Sequence, residues 1–399
     1  MARAKMIQSN IAPAGRDEIM KTRKTRIWMV ATLAAVVLFF WLQDSLLRGV
    51  SQKFPPHESF KLLARVISLV RSEYIEDPEP RGTMEGAFQG LVGSLDILSS
   101  YLDKPSAAKY LQPQKPAFKD IGLVLLKHYG IFPVVVGLVK DSPAEKAGIR
   151  AGDSITALDD KSTLVWSLSE INLYLKDNEK KVVKLRVVQD NTTKEIPLER
   201  ADIYPQSVSF APLKGTAGMV KIHHLYPPLI KEFKANILPR LKSQKGTLVL
   251  DLRNCCEGDL EEARKFLNVF LKSAKIGYLE KKGGSKDVLA CREEAALENL
   301  SLVVWINPAT MGPSEMVAAV LKDFKKATII GSPTPGLAAR QDLFSLEGGD
   351  ALLLTTGVFC LNSGEKIWGK GVRADIKLGA DEQEEKNYIA KTIGLISGS

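Results

Sequence analysis

Residues 303–341, VVWINPATMGPSEMVAAVLKDFKKATIIGSPTPGLAARQ, decide the fold of this chain. The stretch opens on an apolar run, 303–306, turns, and continues with Met316, Val317, Val320, Leu321 and Phe324 at helical spacing. A second apolar run, 327–330, then meets a turn rich in Gly and Pro. Short apolar runs on either side of a segment with 3.6-residue period predict one βαβ unit, a helix crossing between parallel strands. Upstream, residues 247–250 read as another strand, followed by Asp251-Leu252-Arg253-Asn254 and a helix-like run over 260–271. Residues 218–225, 350–360 and 366–376 read as further strands, and 227–241 and 382–395 as helices. A chain of 399 residues has room for two or three domains around this unit.

These motifs resemble the carboxyl-terminal processing peptidases, the tail-specific proteases that use a serine/lysine dyad. In that family one strand ends in Asp-Leu-Arg-x-Asn-x-Gly-Gly, and a later one runs into Asn-x-Gly-Ser-Ala-Ser-Ala-Ser-Glu at the head of a helix. A third leads to Gly-x-x-Thr-x-Gly-Lys-Gly, with Gln four residues beyond the Lys. Asp251, Leu252, Arg253, Asn307, Ser314, Glu315, Gly331, Thr334, Gly336 and Gln341 fall in register with those motifs. The resemblance implies a multidomain α/β protein: an N-terminal membrane anchor and helical region, a PDZ-like β-rich domain, and an α/β peptidase core.

The residues that would carry the family's chemistry differ. The nucleophile position is Gly312 and the general-base position is Leu337, 25 residues apart as the family spacing requires. A dyad needs a hydroxyl and an amine whose pKa burial has lowered. Glycine offers no nucleophile and leucine no proton acceptor. The first glycine of the family's Gly-Gly, which helps build the oxyanion hole, is Glu257, and a carboxylate there opposes developing negative charge. The resemblance therefore implies a degenerate member, with no catalytic residues at the family positions and Gln341 retained. Ser314 is the alternative nucleophile, which would make the chain an active serine-type endopeptidase by a rearranged route. Of the histidines, His223 and His224 lie in the strand-like run 218–225, where neighbours face opposite sides, so one of them at most reaches the site.

Residues 117–200 read as the PDZ-like domain. Asp120-Ile121-Gly122-Leu123 matches the carboxylate loop, and Ser142-Pro143-Ala144-Glu145-Lys146-Ala147-Gly148 matches the short helix and its glycine stop. Residues 166–175 are expected to flank the groove as a helix, and 181–189 with 194–200 to form a hairpin turning at Asp190-Asn191. Such domains take a peptide terminus as an added strand, so the amides of Ile121, Gly122 and Leu123 are the expected carboxylate site.

The net charge of +9 is uneven. Residues 1–53 carry nine Lys or Arg against three Asp or Glu, which makes the basicity a targeting feature and gives no support for nucleic-acid binding. The basic run at 21–26 precedes sixteen uncharged residues, 27–42, with Trp28 and Trp41 at the ends. A helix there spans about 24 Å, close to a bilayer core, and the positive-inside rule puts the chain beyond it outside the cytoplasm. No small-x-small site comes after this run, which favours an uncleaved anchor over a signal peptide. The expected organisation is a cytoplasmic stretch 1–26, an anchor 27–47, a helical region 57–112 with helices over 59–73 and 83–98, the PDZ-like domain 117–200, the core 201–380 and a tail 381–399, with the bulk on the periplasmic side.

Four cysteines, Cys255, Cys256, Cys291 and Cys360, are too few for a disulfide scaffold and lack metal-ligand spacing. No metal or cofactor is expected. Expected partners are protein C-termini or peptides in the PDZ-like groove, the membrane, and a second copy or an active relative. A structural envelope scaffold is a further alternative.

Overall fold

We describe the protein from a computed structural model, in which residues 56–112, 119–176, 180–203, 206–292 and 294–397 are described. The expected anchor at 27–47 lies outside them; among the described residues no helix is long and apolar enough to cross a membrane. The chain forms two compact units, one up to Glu79 and one from Pro80 onward. The first contains helix α1 (Pro56–Glu73), whose Phe60, Leu62, Leu63, Val66 and Leu69 are exposed.

The second unit begins with α2 (Pro80–Gly93), which stops earlier than the periodicity predicts. Asp96 accepts hydrogen bonds from the Leu98 and Ser99 amides at 2.8 and 2.7 Å, and an Asx side chain that satisfies local amides competes with helix. The chain turns instead into strand β1 (Ser100–Leu102) and helix α3 (Lys104–Leu111).

A β-rich body comes next: β2 (Lys119–Asp120), β3 (Leu123–Leu126), β4 (Val134–Leu138), α4 (Pro143–Lys146), β5 (Ser154–Leu158), β6 (Lys161–Ser162), α5 (Leu168–Leu175), β7 (Val182–Gln189), β8 (Thr192–Glu199) and β9 (Ala201–Asp202). Its main sheet runs β3-β4-β5-β7-β8, leaving β3 on an edge, with β6 beside β5. Ile121, Ile155, Leu158, Ile171, Val183 and Leu185 fill its core. The β7–β8 turn places Asp190 and Asn191 at φ 49° and 60°, the left-handed pair that a two-residue hairpin requires.

The larger body carries a six-stranded sheet in the order β10 (Val208–Ala211), β11 (Gly218–Ile222), β12 (Thr247–Asp251), β15 (Ser301–Ile306), β16 (Ala327–Gly331), β19 (Ile376–Lys377). All neighbours are parallel except β10 and β11. One face is covered by α6 (Leu229–Glu232), a π-helical turn (Phe233–Ile237), α7 (Leu238–Leu241), α8 (Leu260–Leu267) and α9 (Pro313–Asp323). On the other, α10 (Glu385–Ser397) sets Tyr388 against Val249, Val303, Trp305 and Ile330. A parallel sheet buried on both faces needs unbroken apolar strands, which is how β12 and β15 read.

A second sheet joins β1, β18 (Ala351–Cys360), β13 (Lys275–Lys281) and β14 (Lys286–Ala290), with β17 (Ala339–Ser345) on β18. The strand expected over 366–376 is corrected: only Ile376–Lys377 is a strand. Gly369 and Gly371, at φ 69° and 67°, turn the chain beneath Gly336, and a Cβ on Gly371 would collide with the Thr334 carbonyl oxygen.

Candidate functional site

Three loops leave the carboxyl ends of the adjacent parallel strands β12, β15 and β16, where open α/β sheets place their ligand crevices. The first is set by Asp251 and Arg253. The guanidinium donates to both Asp251 oxygens, at 2.9 and 2.7 Å, and lies against the adjoining rings of Trp305 and Tyr388, 4.8 and 4.6 Å from their centroids. Burial would raise the Asp251 carboxyl, but Lys221 at 3.2 Å and Arg253 bring it down to about 2. The Asp-Leu-Arg motif is thus a structural clamp that fixes the turn after β12. Beyond it, Asn254 exchanges hydrogen bonds with Asn307 of the second loop and donates to the Leu138 carbonyl of β4 at 2.7 Å.

The second loop brings Gly312 to the head of α9 at φ 61° and ψ −120°. A β-carbon built there would meet nothing nearer than the Leu337 carbonyl oxygen at 3.8 Å. The position has space for a side chain, but its backbone lies where only glycine rests without strain. Glu315, fully buried one turn into the helix, accepts from the Gly312 amide at 2.9 Å, the Thr334 hydroxyl at 2.5 Å, and the Gly336 and Leu337 amides at 2.6 and 2.5 Å. One carboxylate therefore ties the turn at 312 to the turn at 337. The Leu337 side chain is buried with Val124, Ala309 and Met311, against Leu126, Val136 and Trp368.

Glu257 forms a 2.6 Å ion pair with Lys176 at the end of α5 and accepts from the Tyr226 hydroxyl at 3.2 Å. Burial works against its charge, but the Lys176 ammonium and these hydrogen bonds hold the carboxyl below its usual range. The pair links the two β-containing bodies across a half-open cleft. Gly137 of β4 links them as well, since a Cβ there would meet both the Ala309 Cβ and Asn254 Oδ1 at 2.5 Å.

Ser314 is buried and donates to the carbonyls of Cys255 and Met311. Gln341, on β17, donates to the Leu98 carbonyl at 2.8 Å and lines the cleft. Strand β11 ends at Ile222, so the two histidines lie past it. His223 Nε2 pairs with the Ser209 hydroxyl at 3.0 Å, and burial, with Lys221 nearby, pushes its pKa down to about 4. His224 is buried beside Tyr226. The cysteines are all unbridged. Burial raises the Cys255 thiol to about 12 and, with Glu257 close by, lifts Cys256 well above its ordinary value, which leaves both protonated and poor nucleophiles.

At the PDZ-like loop, Gly122 takes φ 86° and Asp120 Oδ1 accepts from both the Ile121 and Gly122 amides. A cavity of about 790 Å³ runs from Leu123 and Leu125 on β3, past Lys176 and Glu257, to Gly312 and Leu337. The edge of β3 and the loops at the sheet's carboxyl end thus share one space. Sequence reading located the loops but missed Lys176, Tyr226 and the carboxylates of Asp120 and Glu315 as working parts. The partner of Lys176 lies 81 residues away and that of Tyr226 lies 31 away, whereas Asp120 and Glu315 cap amides close by and are set in those roles by their burial.

The model of peptidase family S41 matches residues 217–378, and the PDZ domain model matches residues 134–189. A probable CtpA-like serine protease of Staphylococcus aureus (strain COL) is 28% identical over 367 residues, 91% of this chain and 73% of that protein. Its counterpart in Staphylococcus haemolyticus is 25% identical over 394 residues, 96% of this chain and 79% of that protein. Among solved structures, the photosystem II D1 C-terminal processing protease shares the fold, with a TM-score of 0.67 at 21% identity, covering 82% of this chain and 89% of that one. A match to an S41 core, a match to a PDZ domain ahead of it, and CtpA-like relatives along nearly the whole length support the carboxyl-terminal processing peptidase family for this chain.

Proposed function

We propose that this member of the family binds polypeptide without cutting it. The observation that carries the reading is the pair Gly312 and Leu337: the first brings no nucleophile to the head of α9, and the second buries an alkyl group among Val124, Ala309 and Met311 where a base would stand. Glu257 supports it from a third direction, because its carboxylate is charged at the position that would have to welcome an oxyanion. Ser314 is a poor replacement, since its hydroxyl is buried and engaged with two carbonyls, and attack geometry tolerates errors of about 1 Å. What remains is the cavity beside the β3 edge, suited to holding an extended chain by main-chain hydrogen bonds.

The expected setting is a membrane surface outside the cytoplasm, from the basic run at 21–26 and the uncharged run at 27–42, so the test uses the 399-residue chain in detergent micelles. An unfolded reporter with an apolar C-terminus is incubated with wild type and with a Gly312→Ser, Leu337→Lys double variant. Wild type is expected to leave it uncut over hours, and restored cleavage in the double variant would mark the dyad as the missing part. Cleavage by wild type that Ser314→Ala abolishes would overturn the proposal.

A further inference from the structure

In a PDZ-type groove the loop amides before the edge strand capture the terminal carboxylate of a peptide. Here two of the three expected amides, those of Ile121 and Gly122, are engaged by the chain itself. Asp120 Oδ1 accepts from the Ile121 amide and, at 3.2 Å, from the Gly122 amide, and Asp120 is 7% exposed. The arrangement is held from several sides. Asp120 pairs with Ala201 between β2 and β9, the Ile121 carbonyl accepts from the Ala144 amide at 3.0 Å, and the Gly122 carbonyl accepts from Val139 at 2.9 Å. A Cβ on Gly122 would collide with that of Ser142, so the loop is packed hard against α4. Swinging Asp120 away would strand a buried carboxylate without its donors, a costly move.

The electrostatics point the same way. Asp120 faces Glu257 and Lys176, and Lys176 is already paired with Glu257 at 2.6 Å. An incoming carboxylate would meet two carboxyl groups, one shared cation and no open pair of amides. The space does not end there: the cavity continues past Asp120 and Cys256 to Met311 and Gly312. A chain laid along the β3 edge can therefore run on instead of stopping.

We propose that the groove receives an internal extended segment of a polypeptide, not a C-terminal carboxylate, and that Asp120 is the residue that sets this choice. The proposal rests on the polypeptide-binding reading above. Asp120 acts as the built-in counterpart of a ligand carboxylate, and recognition falls to the β3 edge and to the apolar side chains of Leu123, Leu125 and Leu168.

Two fluorescent octapeptide pools test this by anisotropy at neutral pH with the 399-residue chain in micelles. Both are randomised over Ala, Val, Leu and Ile at the last four positions; one ends in a free acid and the other in an amide. Wild type is expected to bind the amide pool at least tenfold more tightly. Asp120→Gly, which vacates the two amides, is expected to gain at least tenfold for the acid pool, whereas Asp120→Asn, which still caps them, gains little. Tighter binding of the acid pool by wild type overturns the proposal while leaving the polypeptide-binding reading intact. An amide preference that Asp120→Gly does not alter overturns the role of Asp120. Failure of wild type to bind either pool overturns both the proposal and the reading beneath it.

Discussion

At the scale of single residues, the site is defined by which charges are compensated. Glu257 and Lys176 are each mostly buried and 2.6 Å apart, so removing one leaves the other charged in a poor solvent. Lys176→Met is expected to destabilise the fold by about 3–5 kcal/mol, measured by denaturant unfolding, because the stranded Glu257 loses its partner. A Lys176→Met, Glu257→Met double variant should recover most of that loss; equal destabilisation of single and double variants would mean the pair is not the source. Gly312 and Leu337 were legible from sequence because family spacing fixes their place. Lys176 was not, because its partner lies 81 residues away and only folding brings them together.

At the scale of elements, strand β4 is docked on the loops after β12 and β15. Gly137 allows that contact by having no side chain, Asn254 reaches the Leu138 carbonyl, and Val124, Val136 and Leu337 share one apolar cluster. Gly137→Val is expected to lift β4 from Ala309, at a cost of about 1–3 kcal/mol for overpacking. Amide hydrogen exchange should then quicken in β3 and β4 while the six-stranded sheet keeps its protection. Unchanged exchange in β3 and β4 would mean that the docking tolerates the added bulk. The helices and parallel strands were readable from period and apolar runs. The strands β13, β14 and β17 were not, because their mixed polar faces resemble loops until β13 and β17 pair with β18 and β14 pairs with β13.

At the scale of the whole molecule, stability should track the clamp at Asp251. Its carboxyl falls from an ordinary 3.8 to about 2 on folding, so its stabilisation is complete above the unfolded value and is lost as pH drops through the folded one. The stability gap between wild type and Asp251→Asn should therefore be wide at neutral pH and narrow by about 2 kcal/mol as pH falls to the folded value. A gap independent of pH over that window would show that Asp251 does not titrate there. Comparison with a single-site variant isolates this residue from Asp120 and Glu315, whose buried carboxyls are raised and respond with the opposite sign.

The sequence by itself determined the resemblance to the carboxyl-terminal processing peptidases, the order of PDZ-like and peptidase-like bodies, and the absence of serine and lysine at positions 312 and 337, since each depends on residue identity at fixed spacing. The tertiary structure alone decided what fills the places left behind. An alkyl cluster closes over Leu337, a lysine from α5 neutralises Glu257, and Asp120 occupies the amides that the sequence pattern assigns to a ligand. The first two are contacts between segments distant along the chain; the third joins neighbours, but it is the packing of that loop against β9 and α4 that holds Asp120 in place, and all three draw on burial and desolvation, which no local pattern records.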